Sequence, residues 1–138
     1  SQGLSGCRAF LREHSDEERL HMEKVFDYIN DAGGYAVLES IKQPTSTFES
    51  VTEVFEALYE HECFITKEIN KLLKTALEEG DFSTFGFLQY FALEQNEEEG
   101  LFKGILDKIS LIKVETQGLF MFDKEIESMV GQTASPQA

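Results

Sequence analysis

The stretch FLREHSDEERLHMEKVFDYI, Phe10–Ile29, runs without a proline or a glycine and decides the fold. Set at about 100° per residue, Leu11, Val25 and Ile29 fall on one side, together with Cys7 just upstream. Glu18 falls at the centre of that apolar stripe, with His14 and His21 close beside it. The pattern predicts a long amphipathic helix over residues 5–32, stopped by the Gly33-Gly34 pair. An acid in the middle of its apolar face is the feature that calls for an explanation.

Working outward, the same period recurs over residues 49–78 and 82–111, and a shorter helix fits 116–130. Gly80-Asp81 predicts a tight turn between the second and third helices. Residues 33–48, GGYAVLESIKQPTSTF, predict an irregular link that is long for antiparallel neighbours, which usually need about 2–8 residues. A link of that length suits a crossover along a helix bundle. There is no internal repeat and no strand-period alternation. The expectation is an all-α chain with one domain over residues 1–130 and a flexible polar tail, GQTASPQA, over 131–138.

The polar residues inside the stripes carry the chemistry. On the second helix Val51, Phe55, Leu58, Ile69 and Leu73 line up around Glu62. On the third, Leu88, Phe91, Phe102 and Leu106 line up around Gln95, flanked by Glu98 and Glu99. Burying an ionised carboxylate without a partner costs several kcal/mol. No base shares these stripes, since Arg12, Arg19 and Lys24 fall on other faces, so several inward acids call for a cation. Glu18 and His21 add a Glu-x-x-His pair on one helix face, a spacing used by di-iron carboxylate bundles. Oxygen-rich ligation with one imidazole suits iron, with Mn or Zn as competitors, and the lack of a nearby cysteine argues against structural zinc.

Each signal also has a plainer explanation. An isolated Glu-x-x-His is common in helical proteins, and His14 reads as a satisfied core histidine. Glu62 by itself reads equally well as a buried glutamate bonded to Tyr28 or Tyr59. The run Glu94–Glu99 would ordinarily be a solvated face, but here it straddles the stripe.

A net charge of −14 disfavours nucleic acid and anionic membranes as partners and attracts cations. No segment approaches the roughly 20 apolar residues of a membrane span. Cys7 and Cys63, far apart, read as free thiols of a reducing compartment. With no signal-peptide pattern in view, a cytoplasmic location is expected.

Taken with YEHECFI (59–65), FGFLQYFALEQNEEEGLFKGILDKISLI (85–112) and GLFMFDKEI (118–126), the opening stretch resembles the bacterial non-haem ferritins. The resemblance runs in order from about Leu4 to Met129. It implies a ferritin-like four-helix bundle with a long crossover and a short C-terminal helix, storing iron after oxidising Fe(II) at a di-iron ferroxidase centre. It implies that Glu18, His21 and Glu62 hold the paired irons, and that Gln95 and Glu98 approach the second iron and its oxidant. Glu17, Glu94, Glu97 and Glu98 resemble a third iron site of this subfamily. Self-association into a 24-subunit shell and O2 or H2O2 as oxidant are implied in the same way.

Two departures stand out. Glu94 is followed at i+3 by Glu97 rather than histidine, unlike the haem-carrying bacterioferritins, so no haem is expected. The family's first bundle helix has no counterpart ahead of SQGLSG, which resembles the end of the turn that follows it. An incomplete piece of a subunit is the favoured explanation. The alternative function is a cage or scaffold subunit that sequesters iron without a competent ferroxidase centre.

Overall fold

A computed structural model describes residues 3–112 and 116–132. They form four helices, α1 (Ser5–Asp31), α2 (Val51–Glu78), α3 (Phe82–Ile112) and α4 (Thr116–Glu127), with no strand among the described residues. The chain is all-α. It divides into two compact units, one built on α1 and α4 and the other on α2 and α3.

In the α2–α3 unit the helix ends are set by side chains. Ser50, in extended backbone, accepts from Glu53 N at 3.1 Å, and Glu53 in return accepts from Glu49 N at 2.6 Å. This is a capping box displaced by one residue, and it starts α2 at Val51 rather than at Glu49 or Ser50. At the other end Gly80 takes a positive φ of 69°, and Asp81 N reaches back to Ala76 O at 2.8 Å, closing off the helix's last carbonyls. Asp81 then caps α3, accepting from Thr84 N at 3.0 Å and from Thr84 Oγ1 at 2.5 Å. Those two bonds hold the Asp81 carboxyl below the usual carboxylate range.

The short turn makes α2 and α3 an antiparallel hairpin in register. Phe55 meets Phe102 with ring centroids 6.4 Å apart, and two helical turns further along α2, Glu62 meets Gln95. Leu88, Phe91, Ile105 and Ile109 complete the buried face of α3.

The α1–α4 unit is pinned differently. Leu4, at the start of α1, supplies no side-chain cap. The cap comes instead from α4, where Asp123 accepts from Gly6 N at 3.0 Å and Cys7 N at 2.8 Å. Gly6 is required by the approach itself, because a Cβ there would lie 2.1 Å from Asp123 O and 2.9 Å from Glu127 Cβ. Phe10, Phe122 and Ile126 are buried around this junction. Burial, reinforced by the Asp123 carboxylate, pushes the Cys7 thiol up to about 12, so Cys7 stays protonated.

Three expectations need correction here. The helix expected to reach residue 130 ends at Glu127. Turns follow, leading to Gly131 at φ 81°, whose N–H donates to both Glu13 carboxylate oxygens at 2.9 and 3.0 Å. Gly131 and Gln132 therefore belong to a turn, and the rest of the polar tail, 133–138, lies outside the described residues. The stripe on α1 is also shorter than its pattern. Cys7 is buried, but Val25 and Ile29 are each 37% exposed, because the 12-residue α4 is less than half the length of the 27-residue α1. Residues 34–48 adopt neither helix nor strand.

Two outcomes follow from the α1–α4 junction. Gly6→Ala should cost roughly 1–3 kcal/mol in chemical denaturation, whereas Gly86→Ala, with open space around it, should raise stability by about 0.5–1 kcal/mol. Burial alone would raise the Asp123 carboxyl, but the N–H groups of Cys7 and Gly6 outweigh it and bring it below its ordinary value. Its stabilisation is thus complete above the unfolded carboxylate pKa of about 3.9 and drains away as pH falls through the folded value. Asp123→Asn should lower the melting temperature at pH 7 and flatten its decline below about pH 4 in acid calorimetry.

Candidate metal centre

On α1, His14, Glu18 and His21 recur at four- and three-residue steps and so follow one face of the helix. His21 Nδ1 lies 3.4 Å from Glu18 Oε1, which places the Glu-x-x-His pair side by side. His14 is buried, and Glu17 is half-buried. Glu18, expected at the centre of a buried stripe, has a side chain that is 40% exposed. Its position on α1 lies beyond the stretch from Gly6 to His14 where buried residues occur, which is the physical reason for the difference. The bases expected on other faces lie in solvent, with Arg12 near Asp16 and Arg19 paired to Glu23.

The α2–α3 unit buries its polar groups more completely. Glu62 is 2% exposed and Gln95 is 4% exposed. Gln95 Nε2 stands 3.1 Å from Glu62 Oε2, 3.1 Å from the Glu62 main-chain oxygen and 3.3 Å from Thr66 Oγ1. Thr66 Oγ1 in turn donates to Glu62 O at 3.0 Å. Gln95 supplies the buried glutamate with a donor from α3. Tyr59 instead pairs with Cys63, one turn along α2. That hydrogen bond, with Glu99 and Asp107 of α3 adding their charge, pushes the phenol up.

One turn beyond Gln95, Glu98 is also buried, while Glu94 is half-buried and Glu97 is exposed. Glu94, Glu97 and Glu98 therefore share a side of α3 by spacing but differ in depth. The sequence reading missed Thr66, although its place four residues after Glu62 on the same stripe was a usable signal. Asp123, the other buried acid outside the stripes, is satisfied by backbone N–H groups and serves as a cap.

The donors gathered on α2 and α3 are carboxylate and carboxamide oxygens, with imidazole and carboxylate adjacent on α1. Each of these groups, taken by itself, favours hard or borderline divalent cations over soft, thiolate-seeking ones.

These features place the chain in a known family. Residues 1–112 match the family model described as a ferritin-like domain, and the chain belongs to the ferritin family. It is 46% identical over 126 residues to a bacterial non-heme ferritin of Campylobacter jejuni, spanning 91% of this chain and 75% of that protein. It is 44% identical over 128 residues to a probable bacterial non-heme ferritin-like protein of Haemophilus influenzae, spanning 93% and 78%. Among solved structures, an open pore ferritin from the archaeon Archaeoglobus fulgidus superposes with a TM-score of 0.87 at 38% identity, over 91% of this chain and 77% of that one.

A carboxylate kept in an apolar hairpin is costly, so replacing Glu62 with a residue of similar volume tests whether it is there for stability. Glu62→Met should leave the metal-free protein as stable as before or up to about 4 kcal/mol more stable in thermal unfolding. A large loss of stability would mean that the acid is structural.

Proposed function

We propose that this chain takes up Fe(II), oxidises it to Fe(III) at a paired-iron centre and stores the product as ferric mineral inside a shell of its own copies. Family membership supports iron storage, and the observation that carries the finer reading is the deeply buried Glu62–Gln95 pair. Glu62 is held in apolar surroundings with oxygen atoms suited to a cation.

In this reading Glu62 bridges the two irons, Glu18 and His21 bind on the α1 side, and Gln95 approaches the second iron. Glu98 lies beside it, and Glu17, Glu94, Glu97 and Glu98 form the third iron site. Iron is substrate and cargo. Two Fe(II) ions each give up one electron, and the pair reduces O2 with two protons to H2O2, or H2O2 with two protons to two waters. The protein's task is to hold both ions together and to offset charge as each goes from +2 to +3, a change that anionic ligands favour. A neutral ligand such as Gln95 holds Fe(III) less firmly than a carboxylate would, which helps product to leave. The proposed assembly is a 24-subunit shell, the proposed location is the cytoplasm, and no haem takes part. None of the described helices is long and apolar enough to cross a membrane.

The half-exposed Glu18 carboxylate favours one second reading, a subunit that gathers iron without a competent oxidation centre. Stoichiometry separates the two. Adding Fe(II) to the iron-free protein in air should give a fast ferric absorbance phase that saturates at about two irons per chain. Slow oxidation with no saturation would support plain sequestration. Gln95→Ala should slow repeated turnover while leaving first-round Fe(II) binding intact, and equal loss of both would count against its assigned role.

A further inference from the structure

The hydrogen bonds around Gln95 carry one step more. We propose that Thr66 is a positioning residue for iron, acting through Gln95 by fixing which end of its side-chain amide faces α2. The inference rests on the iron reading given above.

An amide NH2 has two hydrogens, and Gln95 turns its nitrogen toward three acceptors, all on α2: Glu62 O, Glu62 Oε2 and Thr66 Oγ1. Turned the other way, its oxygen would face the Glu62 carbonyl and the Glu62 carboxylate, acceptor against acceptor. Only Thr66 could rescue that arrangement, because a hydroxyl can either donate or accept. Its single proton is already committed to Glu62 O at 3.0 Å, so what Thr66 presents to Gln95 is a lone pair. The amide is locked in one orientation.

That lock has two consequences for a metal. Gln95 Oε1 is turned away from the α2 acceptors and accepts no hydrogen bond among the described residues, which leaves a neutral oxygen available to a cation. The amide also engages one oxygen of Glu62, Oε2, so that oxygen divides its lone pairs between Gln95 and a cation.

A threonine bonding back to the carbonyl four residues earlier is an ordinary helix feature. Thr75 does the same, to Lys71 O at 3.1 Å, and receives no bond from α3. Thr75→Val is therefore the control for a merely structural effect.

The test measures binding of redox-inert Zn(II) by titration calorimetry, with Fe(II) turnover followed separately. Thr66→Val should weaken saturable Zn(II) binding by roughly three- to tenfold, the worth of one hydrogen bond. It should slow repeated Fe(II) oxidation as well. Thr66→Ser should restore both, and Thr75→Val should change neither. Should Thr66→Val unfold by circular dichroism, Thr66→Ala takes its place in the same comparison. Saturable binding in the unaltered protein with Thr66→Val indistinguishable from Thr75→Val overturns the role of Thr66 alone. No saturable binding in the unaltered protein overturns the iron reading, and this inference with it.

Discussion

A carboxylate driven into the apolar seam of a helix hairpin is the constraint on which the rest depends. Removing Glu62 from water costs several kcal/mol, and α3 meets it with the carboxamide of Gln95. The single bond from Gln95 Nε2 to Glu62 Oε2 offsets only part of that lost hydration. An apolar residue in that place would pack at less cost. In the proposed function the acid, its glutamine partner and the hydroxyl that orients the glutamine serve to hold a cation.

Precision in that contact comes from the ends of the hairpin. Ser50 sets where α2 begins, Gly80 where it ends, and Asp81 where α3 begins. With three residues between the helices there is little slack, so Phe55 against Phe102 fixes Glu62 against Gln95 two turns away. The α1–α4 unit uses a buried acid in a different way. Asp123 accepts two backbone N–H groups at the start of α1, and those bonds keep its carboxyl ionised. Asp123 builds the fold through backbone N–H groups, whereas Glu62 meets a side-chain carboxamide brought by α3.

Much of this was legible from spacing. The all-α fold followed from three long apolar stripes punctuated by Gly33-Gly34 and Gly80-Asp81, and Glu62 and Gln95 were marked by falling at the centres of theirs. The misreadings share a cause, since periodicity says which side of a helix is apolar but not how far a neighbour covers it. Val25 and Ile29 lie on the stripe of α1 but beyond the reach of a 12-residue α4, and Glu18 is more exposed than its central position suggested. Gly6 gave no hint of its role, because a close approach depends on a residue more than a hundred positions away. Thr66 was not singled out from the sequence, and the direction of its proton is settled only by the carbonyl beside it.

Anomalous diffraction at the iron absorption edge, from crystals loaded with Fe(II) without oxygen, tests the central claim most directly. The account predicts a pair of iron peaks with the Glu62 carboxylate bonded to both and Gln95 Oε1 turned toward one of them. Iron bound only at exposed carboxylates, with none at Glu62, would contradict it.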